Sequence, residues 1–99
     1  MYESFKYVSE NLTEREKLEQ LAEEASELAQ AALKLIRAKK LSNNSTPMTE
    51  DDANMNLAEE IDDVIMCVCL YYGGLPFSDV MAMPKWKRWA ERLGKHDRL

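Results

Sequence analysis

Four acidic side chains at one recurring spacing are the residues of this chain best suited to chemistry. Glu60 and Asp63 lie three apart within Leu57 to Tyr72, LAEEIDDVIMCVCLYY, and Glu24 and Glu27 lie three apart within LAEEASELAQAALK. At about 100° per residue, such a pair shares one flank of a helix. Glu60 and Asp63 fall on the side of Val64, Cys67 and Tyr71, whereas Glu59 and Asp62 point well away from them. From Val64 onward the segment is apolar on nearly every side, which marks a helix bound for a core or an interface. Ionised carboxylates at the head of such a stripe require a cation or strong donors, because removing them from water is otherwise too costly. If the two helices pack antiparallel, the two pairs face each other and offer up to eight oxygens to hard divalent cations. Glu24 and Glu27 alone would fit an ordinary solvated helix face. The second pair does not, since its helix is too apolar to have a solvent face there.

The remaining donor inventory narrows the metal. Cys67 and Cys69 point to different sides of a helix and cannot easily bridge each other, so they read as reduced core residues. His96 is the one histidine. The sets that build a structural zinc site or a di-iron bundle are missing, and a metal held mainly by carboxylates is Mg²⁺, Mn²⁺ or Ca²⁺.

Two long helices must position these acids. Thr13 and Glu16 form an S/T-x-x-E capping box, and the spacing from Leu18 to Ile36 (Leu18, Leu21, Ala22, Ala25, Leu28, Ala29, Ala32, Leu35, Ile36) predicts a helix running to about Lys40. Residues 41–49, LSNNSTPMT, are a loop that turns the chain back. Thr49 with Asp52 opens a second helix from about Glu50 to Tyr72, closed by Gly73-Gly74-Leu75-Pro76. Ser78 is the next expected N-cap, and Pro84 should kink or split a third helix ending near Leu93. Residues 1–12 read as a short helix or an irregular arm, with Phe5 and Val8 or Tyr7 available to pack. The expected architecture is all-α: one domain over residues 1–99, a helical hairpin plus a Pro-interrupted third helix, completed as a four-helix-type bundle by dimerisation.

Composition agrees with this outline. A chain of 99 residues holds one domain small enough to benefit from self-association, so a dimer or dimer of dimers is expected. Three Gly and three Pro favour helices over a turn-rich β fold. No apolar run could span a bilayer, the N-terminus lacks the features of a signal peptide, and a cytoplasmic protein with no membrane partner is expected. The net charge of −5 is unevenly spread. Residues 1–84 hold 7 Lys/Arg against 16 Asp/Glu, and residues 85–99 hold 6 against 2. The acidic body argues against general nucleic-acid binding, while a small anion held between a metal and the basic tail is compatible with it. Trp86 and Trp89 read as core or dimer-interface anchors, and the methionines as gap fillers.

The pattern Glu23-Glu24-x-x-Glu27 followed by Glu59-Glu60-x-x-Asp63, each on a long helix, resembles that of the MazG-like all-α nucleoside triphosphate pyrophosphohydrolases. The resemblance runs from about Leu18 to Tyr72 and more loosely to Leu93. It implies that Glu24, Glu27, Glu60 and Asp63 bind Mg²⁺, with Mn²⁺ as a substitute. It also implies hydrolysis of a (deoxy)nucleoside triphosphate between the α and β phosphates, with Glu23 or Glu27 assisting the attacking water. Lys85, Arg88 and Arg92 match the cations that reach the phosphates in that family, and Lys34, two turns beyond Glu27, is a further candidate. Pro84 interrupts a segment that family members continue as a helix, and the 32 residues between Glu27 and Glu60 make a long connection. A phosphoribosyl-ATP pyrophosphohydrolase or a dimeric dUTPase-like enzyme is the sibling reading within the fold. The competing class is a non-catalytic helical interaction module whose acids only cap or solvate helices.

Overall fold

The computed structural model describes residues 2–44, 46–76 and 78–94, all helical or irregular with no strand among them. His96 lies outside the described residues. The order is α1 (Tyr2–Asn11), α2 (Glu14–Ala38), α3 (Glu50–Tyr72), a short 3₁₀ turn (Val80–Ala82) and α4 (Lys85–Gly94). Of the two alternatives for the N-terminal segment, the structure takes the helix; Phe5, Tyr7 and Val8 stay exposed on it. No helix among the described residues is long and apolar enough to cross a membrane.

The hairpin begins where the sequence signals it. Thr13 Oγ1 accepts the Glu16 N–H at 3.1 Å and Glu16 Oε1 accepts the Thr13 N–H at 2.9 Å, so two otherwise unpaired donors of the first turn are satisfied reciprocally. The Thr13 backbone N–H, and after it the Thr13 side chain, hold the Glu16 carboxyl below its ordinary range. Thr49 repeats half of the device, its Oγ1 accepting the Asp52 N–H at 3.1 Å. At the other end of α3, Gly73 takes the left-handed conformation (φ 79°) and donates its N–H to Cys69 O at 2.8 Å.

α2 ends at Ala38, short of the expected Lys40, because Lys40 turns left-handed (φ 60°). The Leu41 N–H then reaches Ile36 O at 3.0 Å and the Lys40 N–H reaches Arg37 O at 3.0 Å. This is the Schellman pattern, built here on a lysine instead of a glycine. The third helix is split, not merely kinked: Pro84 has no N–H to extend the 3₁₀ turn and immediately precedes α4. The cap before the 3₁₀ turn is Asp79 rather than Ser78, since Asp79 Oδ1 accepts the Met81 N–H at 3.0 Å.

α2 and α3 pack antiparallel along their length. Register is visible at both ends, where the Tyr71 hydroxyl meets Glu14 Oε1 at 3.1 Å and Lys39 Nζ meets Glu50 Oε1 at 2.9 Å. The seam is filled by half-buried leucines and valines around Ala31, Ala53 and Cys67, which are buried. α1 adds a smaller contact on α3. α4 does not pack extensively on the hairpin, and the radius of gyration is 17.5 Å, well above the roughly 13 Å of a compact chain this long. Trp86 and Trp89 are therefore not core anchors: they stack on each other at 5.7 Å and remain 44% and 53% exposed.

Because Lys40 bears a Cβ in a conformation that disfavours one, Lys40→Gly should raise hairpin stability by about 0.5–1 kcal/mol in urea unfolding, whereas Gly73→Ala should lower it by about 1 kcal/mol. A neutral result at both positions would contradict the two helix-end assignments.

Candidate metal centre

Antiparallel pairing places the middle of α2 beside the first half of α3. Glu24, from α2, meets Glu60 and Asp63, from α3, with one carboxylate oxygen of each lying within 4.8 Å of the others. All three side chains are half-buried. Each is aimed there by helical pitch: Glu24 lies on the α2 stripe that carries Leu28 and Ala31, and Glu60 lies on the α3 stripe that carries Ala53, Val64 and Cys67. Three of the four carboxylates expected from the sequence thus converge from two helices.

The fourth, Glu27, stands one turn along α2 on the exposed rim. Its carboxyl is pushed above its ordinary value first by the neighbouring Glu24 carboxylate, and then by desolvation and the charges of Glu60 and Glu23. It therefore belongs to the same electrostatic cluster without being one of the three converging groups. Glu23, also exposed, enters only through its charge on Glu27.

Among the described residues no ion pair answers this charge. The ion pairs among the described residues are Lys6–Glu10, Arg15–Glu19 and Lys39–Glu50, none of which touches the cluster. Gln20 Nε2 donates to Glu24 Oε1 at 2.9 Å and fixes that side chain from one turn back. Glu24 Oε2 and Glu60 Oε2, in contrast, are buried without a hydrogen-bond partner. Buried carboxylate oxygens in native structures are almost always satisfied, and leaving one bare is expensive. A divalent cation with oxygen-ligand preference meets both requirements at once, so the residues present fit the Mg²⁺ or Mn²⁺ expected from the sequence.

Sequence reasoning passed over Gln20, and it placed Cys67 on the side of Glu60 and Asp63 but read it only as core. Gln20 was detectable from its i, i+4 spacing to Glu24. Cys67 is core, but it also borders the acids: burial first, then the charges of Glu24 and Asp63, push its thiol up. Its spacing from Glu60 and Asp63, seven and four residues, carries that signal.

The expected phosphate contacts sit elsewhere. Lys34 lies on the Glu27 flank of α2, half-buried and outside the acid cluster. Lys85, Arg88 and Arg92 are exposed on α4, where they line a groove of about 690 Å³ with Met83, Trp86 and Trp89. Within one chain, α4 and the carboxylates form separate features. Among known proteins, no family model, curated protein or solved structure matches the chain.

Glu27 binds its proton more tightly folded than unfolded, so the native state carries extra protons from the ordinary value of 4.5 upward to its raised value. Stability of the metal-free protein should consequently fall as pH rises through that window, the reverse of the usual carboxylate trend. Added Mg²⁺ or Mn²⁺ should raise the melting temperature, more strongly above the window than within it. A melting temperature indifferent to both cations at pH 8 would remove the metal assignment.

Proposed function

We propose that this chain is a cytoplasmic, Mg²⁺-dependent nucleotide pyrophosphohydrolase of the MazG-like kind, converting a (deoxy)nucleoside triphosphate to the monophosphate and pyrophosphate. It acts as a homodimer or dimer of dimers whose hairpins form a four-helix-type bundle. The observation that carries this reading is the pair of buried, unpartnered oxygens on Glu24 and Glu60, set beside Asp63 between two antiparallel helices. Solvated surface acids do not need that arrangement.

Each residue has a chemical task in this reading. Glu24, Glu60 and Asp63 hold the cation, and Gln20 keeps Glu24 in the required rotamer. The bound metal supplies charge neutralisation for the triphosphate and a more acidic water. Glu27, whose proton affinity is raised by its neighbours, accepts the proton of the attacking water. Glu23 is the alternative acceptor, less favourably placed because it is fully on the outer flank. Arg88 and Arg92, four apart on one face of α4, suit charge-assisted bonds to phosphate oxygens, and Lys85 precedes them on the same flank. Lys34 serves the same anion from α2.

A pyrophosphate-release screen over canonical and modified triphosphates with Mg²⁺ tests activity and substrate together. Glu60→Gln and Asp63→Asn should each abolish release while leaving the metal-free fold as stable as the parent or more so, because like charges at close range repel. Turnover retained in both variants would sink the site. Arg88→Ala should raise KM several-fold with helix content unchanged, and parent-like kinetics would reduce the basic helix to a solubility feature. A metal-dependent melting shift with no turnover on any triphosphate would favour the non-catalytic interaction module.

A further inference from the structure

The charges of α4 are not spread evenly around its aromatic pair. Taking Trp89 as origin at about 100° per residue, Lys85, Arg92 and Arg88 lie roughly 40°, 60° and 100° to one side. Leu93 and Trp86 lie roughly 40° and 60° to the other, and Lys87 and Glu91 share the far side, where their charges offset. The helix thus carries an aromatic strip bordered along one edge by three cations. From Lys85 to Arg92 that row follows about 10 Å of helix axis.

The strip is held in place by its own chain. Trp86 Nε1–H donates to Val80 O at 2.8 Å, and Trp89 stacks on Trp86 with ring centroids 5.7 Å apart and planes within 4° of parallel. Trp86 covers one face of Trp89, yet the Trp89 ring is still 53% exposed. Every residue from Lys85 to Leu93 is exposed, so the hairpin does not cover the strip. Rings fixed in advance lose little freedom when a flat ligand settles on them.

We propose that α4 carries a subsite for the base of a nucleoside triphosphate: the base stacks on the open face of Trp89 while Lys85, Arg88 and Arg92 hold the phosphates. The inference rests on the triphosphate substrate proposed above and adds a base contact that forms without the metal. Three features select this ligand. Charge is the first, since α4 holds four Lys/Arg against one Glu whereas residues 1–84 hold 7 against 16, which draws an anion to this element. The second is the pairing of an exposed indole with cations, which fits a ligand that is aromatic and anionic at once; an acidic peptide or free phosphate would engage the cations alone. One-sidedness is the third. A helix lying on an anionic lipid surface is served by cations on both shoulders of its apolar face, and here they border one edge only, on a chain whose acidic body such a surface repels. Stacking reads the face of the ring and not its edge, so the subsite accepts purines and pyrimidines alike.

Calorimetric titration in EDTA at low salt separates the two halves of the contact. ATP and CTP should each bind the parent more tightly than inorganic triphosphate, by the roughly 5- to 150-fold that one stacked base is worth. Trp89→Ala should bring both nucleotides down to the affinity of inorganic triphosphate, which should itself stay unchanged, and Trp89→Phe should restore most of the difference. Equal affinity of the parent for ATP and inorganic triphosphate, or a difference that survives Trp89→Ala, would overturn the subsite. So would association of the parent with phosphatidylglycerol vesicles in place of ATP. Should Trp89→Ala fail to fold, the parent alone decides: the adenine proton resonances of bound ATP should move upfield in the indole ring current, and unshifted resonances would overturn the stacking. Trp89-dependent ATP binding without pyrophosphate release from any triphosphate in Mg²⁺ would overturn the hydrolase reading and support the subsite. Release with no Trp89 dependence of binding would do the reverse.

Discussion

The seam between α2 and α3 carries an unusual load, because it buries carboxylate oxygens among apolar neighbours. Glu24 and Glu60 each place one oxygen beyond the reach of any donor among the described residues, a few ångströms from Asp63. Mutual repulsion and desolvation both oppose this arrangement in the absence of a counter-ion. The hairpin persists because the rest of the interface, from the Tyr71–Glu14 contact to the Lys39–Glu50 bridge, fixes the two helices independently of the acids. The cluster is thus preorganised by packing elsewhere, which is the condition a cation site needs if little reorganisation is to accompany binding.

Charge and apolar surface are sorted by helix rotation. Three side positions on each helix serve three purposes: the seam closes the hairpin, one flank bears Glu27 and Asp63, and the opposite flank bears an uncharged stripe that includes Leu18, Ala25, Ile61 and Ile65. Among the described residues the seam is the main contact of the hairpin, with a smaller one from α1 on α3. The acidic and uncharged flanks therefore face opposite ways, so that a contact on one would leave the other open.

Much of this was legible from residue order. Helix periodicity and the Thr13 and Thr49 caps gave α2 and α3 to within two residues, and the EExxE and EExxD spacing pointed to the carboxylates that converge. Legibility failed where a single backbone conformation decided the outcome: Lys40 in the left-handed region ended α2 early, in a position where a sequence reader expects glycine. It failed again for Ser78, since Ser and Asp are comparable N-caps and sit side by side. The tryptophans were misread as possible core because aromatic content is a poor guide when the helix that bears it finds no partner in its own chain. The distinction between Glu27 at the rim and Glu24 in the seam follows from a rotation of about 60°, which is finer than a motif conveys.

Both tryptophans of the protein lie on α4, stacked within 4° of parallel and tied to the 3₁₀ turn by the Trp86 Nε1–H bond to Val80 O at 2.8 Å. Tryptophan fluorescence is consequently a local optical probe of the C-terminal element, remote from the α2–α3 seam that defines the fold. The tyrosine pair Tyr71 and Tyr72, edge to face at 5.0 Å at the end of α3, reports on the hairpin, together with Tyr2 and Tyr7 of α1. Melting curves followed at the two wavelengths would then report two different events in one molecule, and their separation would measure how independently the aromatic tail and the acidic hairpin come apart.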